Sequence, residues 1–159
     1  MRWPFFIFVV FSIKQDPIGT QKYTLGKEER LKSRKLIERV FREGKSFALI
    51  PFRVFYLPGH LPAASAIPAA PAARRPLQAG FGAGNRNFKR AVDRNRIKRL
   101  MREAYRLQKH LLEEHLEKNK LSLAVFFIYV GKELPDCQTV TGKIGLALQK
   151  LLKETDHGR

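Results

Sequence analysis

Apolar positions recur at three- and four-residue spacing in three stretches of the chain and cluster or alternate in three others. In residues 30–44, Leu36, Ile37, Val40 and Phe41 form one stripe, the mark of an amphipathic helix. Ser33 is placed to cap its start and Gly44 to stop it. Residues 51–57, PFRVFYL, are β-branched and aromatic and predict a strand. Alternation puts Phe52, Val54 and Tyr56 on one face and Arg53 and Phe55 on the other. Residues 77–83 predict a second strand, weakened by Gly80, Gly82 and then Gly84, as at a bulge or a close backbone approach. A long helix is predicted from a start between Asn87 and Asp93 to about Lys118. Residues 121–130, LSLAVFFIYV, are apolar almost without interruption, as in a central strand buried on both faces. Residues 139–153 predict a last helix, with Val140, Ile144, Ala147, Leu148 and Leu151 on one side.

The order helix, strand, strand, helix, strand, helix, with room for one further short strand, predicts an α+β fold arranged as a two-layer α/β sandwich. The chain has 159 residues, enough for one domain with a real core, expected over residues 23–159. Residues 1–22 are expected to be an extension outside the fold. Within them the apolar run Phe5 to Phe11 is too short to span a bilayer. It is followed by Lys14-Gln15-Asp16 rather than a small-residue cleavage site. Between the first two strands, residues 58–79 are rich in Pro and Ala. Pro62, Pro68, Pro71 and Pro76 break any helix there, so a neutral, extended loop is expected.

Charge narrows the function. The chain carries 31 Lys and Arg against 14 Asp and Glu, a net charge of +17. Such a field repels itself on compaction unless a polyanion neutralises it, and nucleic acid is the commonest one. The one cysteine, Cys137, excludes an internal disulfide framework and fits a reducing compartment; it is expected to be an inert thiol in a loop. His110 and His115, five residues apart, do not share a helix face well, and no Cys/His set has zinc spacing.

Much of that charge falls on the long helix. Between Arg86 and Lys109 there are ten basic residues and two acidic ones, Asp93 and Glu103. A helical wheel puts Ile97, Leu100, Met101, Ala104, Leu107 and Leu111 on one side. Arg94, Lys98, Arg99, Arg102 and Arg106 lie on the other, joined by Lys109. Solvated faces usually interleave signs, whereas Arg94, Lys98, Arg102 and Arg106 repeat one sign four residues apart. Phosphates between the guanidinium groups relieve that repulsion, and the planar fork of arginine suits them. Asn95 is a mediocre helix former inside the cluster, suited to a base contact or a cap. Asp93 is suited either to the helix N-terminus or to a hydrated Mg²⁺.

The stretch AVDRNRIKRLMREAYR, residues 91–106, resembles the signature of the protein subunit of bacterial ribonuclease P. ERLKSRKLIERVFREGKSF, residues 29–47, resembles the opening helix of the same family, and the likeness runs in order over roughly residues 23–153 apart from the Pro/Ala loop. The resemblance implies an α/β sandwich with a left-handed βαβ crossover, against the usual hand. It implies a cytoplasmic ribonucleoprotein endonuclease, a hydrolase that removes the 5′ leader of precursor tRNA. The catalytic centre is expected in the RNA subunit, with Mg²⁺ as the RNA-associated cofactor and no catalytic residue in this chain. Arg86, Lys89, Arg90, Arg94, Asn95, Arg96, Lys98, Arg99, Arg102 and Arg106 are implied to face the catalytic RNA, with Asp93 as an outer-sphere metal contact. Ile37, Phe41, Arg53 and Phe55 match the cleft where the single-stranded leader lies. For Phe41 and Phe55, base stacking and plain core packing both stay open. The expected partners are the catalytic RNA and precursor tRNA, without stable membrane association.

Two departures stand out. The link from residue 80 to residue 87 reads GFGAGNRN, with Arg86 alone supplying charge where the family usually carries adjacent basic residues. Ile37 stands where the family often has an aromatic. The alternative reading is another basic RNA-binding protein, such as a ribosome-associated one, without a nuclease partnership; it does not account for the 91–106 signature. An autonomous nuclease finds no paired carboxylates or histidine constellation to support it.

Overall fold

The computed structural model describes residues 24–59 and 76–156. The elements are α1 (Arg34–Glu43), β1 (Lys45–Leu49), β2 (Phe52–Pro58), β3 (Leu77–Ala83), α2 (Ala91–Gln108), α3 (His110–Lys118), β4 (Leu123–Tyr129) and α4 (Cys137–Asp156). The extension at 1–22 and most of the Pro/Ala loop lie outside the described residues.

The mixed α+β class holds, and β1 is the further short strand. It pairs antiparallel with β2, which pairs antiparallel with β4; β4 pairs parallel with β3, giving the sheet order β1-β2-β4-β3. The helices α2 and α3 form the crossover between the two parallel strands. The apolar run of β4 is central, as expected, and both its faces are used. Leu123, Val125, Phe127 and Tyr129 join Phe52, Val54 and Tyr56 in the main core against α2, α3 and α4. Ala124 and Phe126 turn the other way, toward Val40, Leu36 and Ile37 of α1. The two-layer arrangement therefore describes the main core, and α1 adds partial cover on the second face.

One expectation is borne out and two are corrected. The first helix begins at Arg34, capped as expected by Ser33, whose Oγ accepts the N–H of Leu36 at 3.4 Å. Residues 29–31 are unavailable to it because they dock on the free edge of β3. There the N–H of Leu31 donates to the carbonyl of Ala79, and the N–H of Ala79 donates to that of Glu29, both at 2.9 Å. The long helix divides at Lys109, which is 5% exposed rather than on the basic face. Its ammonium reaches Glu29 at 2.8 Å and Glu113 at 3.0 Å. Cys137 is not in a loop: it opens α4 and is exposed.

Glycines mark the closest approaches. Gly44 ends α1 with an ordinary φ of −74°, so handedness does not require it. A Cβ there would run into the carbonyl of Val40 and stand 2.8 Å from that of Tyr56. Because both obstacles are backbone, Gly44→Ala is expected to cost about 2–3 kcal/mol, in the range of overpacked sites. Urea denaturation would measure it; a loss under 0.5 kcal/mol, roughly that of a neutral surface change, would show that α1 can shift without penalty. Between α2 and α4, Gly145 leaves room for Gln108, whose amide donates to the carbonyls of Ala104 at 3.1 Å and Thr141 at 3.0 Å.

Candidate nucleic-acid interface

The cationic surface is built on α2 and the turn before it. Asn87 pins that turn to the end of β4, donating from Nδ2 to the carbonyls of Val130 at 3.0 Å and Gly131 at 3.1 Å. Arg94 braces it from below: Nη1 lies 3.1 Å from Oδ1 of Asn85, 2.8 Å from the carbonyl of Phe88 and 2.6 Å from that of Lys89. The guanidinium is thus directed at main-chain acceptors of its own loop. The turn in consequence holds Arg86, Lys89 and Arg90 exposed.

The apolar stripe of α2 is rotated from the expected one. Ile97, Met101, Ala104 and Tyr105 are buried, while Leu107 is 44% exposed and Leu111, in α3, is 49% exposed. The core that β3 and β4 offer is reached by Tyr105, whose ring meets Phe81 at 5.4 Å and Phe127 at 5.9 Å. Burial pushes its phenol well above the usual pKa, helped by the charges of Glu113 and Glu29. With the stripe turned, Asn95, Arg96, Arg99 and Arg102 are exposed, while Arg94 and Lys98 are half-buried. Arg106 is engaged by Glu103, Nε to Oε2 at 3.0 Å. That hydrogen bond holds the Glu103 carboxyl below its usual pKa and raises that of Arg106. Asp93 is half-buried in the first turn of α2.

A second surface lies on the α1 side of the sheet. Pairing places Ser46, Phe55, Phe126 and Gly80 in one row across the four strands, and Ala48, Arg53, Ile128 and Gly82 in the next. Phe41 of α1 stands over the first row. It meets Phe55 edge-on at 4.9 Å and Phe126 at 5.1 Å, yet remains 40% exposed. Arg53 lies over the Phe55 ring at 5.5 Å, and Ile37 is half-buried at the α1 side. So Ile37, Phe41, Arg53 and Phe55 do come together.

Phe126 belongs to the same surface and was missed by sequence reasoning. Its signal was available in the glycines opposite. A Cβ at Gly80 would enter its ring and one at Gly82 would stand 3.0 Å from it. The close backbone approach at these glycines is therefore real, and it leaves the Phe126 ring only half-buried.

A family model described as Ribonuclease P matches residues 25–152. This chain belongs to the ribonuclease P protein family. The ribonuclease P protein component of Porphyromonas gingivalis is 43% identical over 120 residues, covering 74% of this chain and 79% of that one. That of Chlorobium phaeobacteroides is 31% identical over 140 residues, covering 84% and 91%. The fold is shared with the Staphylococcus aureus RNase P protein, with a TM-score of 0.53 at 18% identity over 77% of this chain and 94% of that one. As a member of the family, the chain is the protein component of a tRNA-processing endoribonuclease that works beside a catalytic RNA subunit.

Proposed function

We propose that this ribonuclease P protein uses its two surfaces for two RNAs. The outward face of α2, with the 86–90 turn, takes the catalytic RNA, and the aromatic surface beside α1 takes the single-stranded 5′ leader of precursor tRNA. The observation that carries the division is chemical. Arg86, Lys89, Arg90, Arg96, Arg99 and Arg102 offer exposed charge for a dense phosphate surface. The other surface offers Phe41, Phe55 and Phe126, with Arg53 over the Phe55 ring. Exposed aromatic rings beside a cation suit unpaired bases of any sequence.

The metal belongs to the RNA in this reading. Among the described residues no group of three or more His, Cys, Asp or Glu side chains could hold an ion. Asp93 in the first turn of α2 suits a water-mediated contact to Mg²⁺ held by RNA phosphates. When bound, Mg²⁺ supplies the charge stabilisation that phosphodiester hydrolysis needs. This chain's residues hold the leader and neutralise phosphate where the RNAs meet. The setting is the cytoplasm, where precursor tRNA is met; among the described residues no helix is long and apolar enough to cross a membrane.

Reconstitution with the catalytic RNA and a leader-bearing precursor tRNA at low Mg²⁺ tests the reading. Cleavage at the 5′ end is expected to rise on adding the protein, and an unchanged rate would sink it. Phe41→Leu keeps apolar packing but removes the ring. It is expected to weaken a leader-bearing substrate about 10-fold, the scale of one stacked base, and to leave a leaderless tRNA unaffected. Equal losses on both substrates would mean that Phe41 only packs the core.

A further inference from the structure

One concave site lies at the margin of the α2 surface, where a segment from outside that helix adds to it. The segment before α1 crosses α2 and encloses with it an open pocket of about 680 Å³, lined by Thr24, Leu25, Arg30, Arg99, Leu100, Arg102, Glu103 and Arg106. Four of these eight side chains are arginines and one is acidic. The pocket is built rather than incidental. The Glu29 carboxylate accepts the N–H of Gly26 at 2.8 Å and the buried Lys109 ammonium at 2.8 Å. Arg30 donates to the carbonyl of Leu25 at 3.2 Å, and the segment is bonded to β3 through Glu29 and Leu31. Arg99 and Arg102 are exposed, with no acidic partner among the described residues. Convergent guanidinium groups held on a rigid frame match the oxygens of a phosphodiester.

We propose that this pocket is a phosphate-binding site for the RNA backbone, in which Arg30, from outside the signature helix, acts together with Arg99 and Arg102. It rests on the reading of the chain as the RNA-bound subunit and extends the contact from α2 to the segment before α1. Glu103 occupies the position of a competing anion: it holds Arg106 and places negative charge on the pocket wall. A phosphate in the pocket takes over Arg106 and is repelled by Glu103. The two charges must therefore act with opposite sign on RNA affinity.

The test measures binding of the full chain to the catalytic RNA at several salt concentrations. Arg30→Gln and Arg102→Gln are each expected to weaken binding about fivefold and to remove roughly one unit from the slope of log affinity against log salt. Glu103→Gln is expected to tighten binding two- to fivefold by the same electrostatic reasoning. Glu29→Gln, which touches no phosphate, is expected to weaken binding by loosening the segment that carries Arg30. Lys118→Gln at the end of α3 supplies the same loss of charge elsewhere and is expected to change binding less than twofold, as for a general field effect. Because Arg30 also holds Leu25, Arg102→Gln is the variant that leaves the fold untouched, and a thermal melt would verify it. Wild-type affinity in Arg30→Gln and Arg102→Gln, or weaker binding in Glu103→Gln, would overturn the pocket while wild-type protein still binds RNA and stimulates cleavage. Failure of wild-type protein to bind the catalytic RNA would overturn the functional reading itself.

Discussion

Replacing Arg96, Arg99 and Arg102 together with glutamine is expected to lower affinity for the catalytic RNA at least about 100-fold. Each charge-assisted contact contributes on the order of 1 kcal/mol or more net, and 1.4 kcal/mol is a factor of ten. The salt slope should become shallower by roughly two to three units, one for each phosphate no longer neutralised. The three side chains are exposed and brace nothing in the fold, so the melting midpoint should stay where it is or rise as self-repulsion falls. Filter binding across a salt series, beside a thermal melt, would measure both. An unchanged slope would mean that these arginines face solvent in the complex. Arg94 is left out of the set deliberately, because its contacts are with Asn85, Phe88 and Lys89. Its loss would act through the turn that presents Arg86, Lys89 and Arg90.

Lys109→Met is expected to be the most damaging single substitution for stability, by about 3–5 kcal/mol, the usual cost of breaking a buried pair by removing one partner. The methionine fills most of the space, so the loss is electrostatic. Glu29 and Glu113 remain in place without their cation, and the Lys109 and Glu29 side chains are only 6% and 9% exposed. The ammonium ties the segment before α1 to the α2–α3 junction, and that segment is in turn bonded to the edge of β3. Equilibrium unfolding in urea would give the number. Glu29→Gln in the same chain should recover part of it, since one of the two stranded charges is then gone. A loss of less than about 1 kcal/mol, the size of an exposed ion pair, would show that solvent reaches the site and that the clasp is unimportant.

Both predictions depend on a distinction that a helical wheel cannot make. Local periodicity was enough for the element types, the central place of β4 and the pairing of Phe52, Val54 and Tyr56 on one face, because each follows from which side chains must leave water. The Ser33 cap and the Gly44 stop were equally local. The signature at 91–106 was enough for the family and for the basic character of α2, since both are properties of consecutive residues.

What the local pattern could not supply is the direction in which a given cation points. Arg94, Lys98, Arg106 and Lys109 are as basic in sequence as Arg99 and Arg102, and all were placed on one face. The tertiary structure separates them by what lies opposite: main-chain carbonyls for Arg94, Glu103 for Arg106, and Glu29 from eighty residues earlier in the chain for Lys109. A long side chain goes where its charge finds a partner, and that partner need not be near in sequence. The same reason explains Phe126. Its apolar character was plain, but its half-exposed ring depends on Gly80 and Gly82 standing beside it in the parallel strand. The chain by itself determined that this is a basic ribonuclease P protein with an arginine-rich helix. Only the folded molecule decided which cations are free to meet RNA, because that depends on the carboxylates and carbonyls each one reaches, from Glu103 beside Arg106 on the same helix to Glu29 in a distant segment for Lys109.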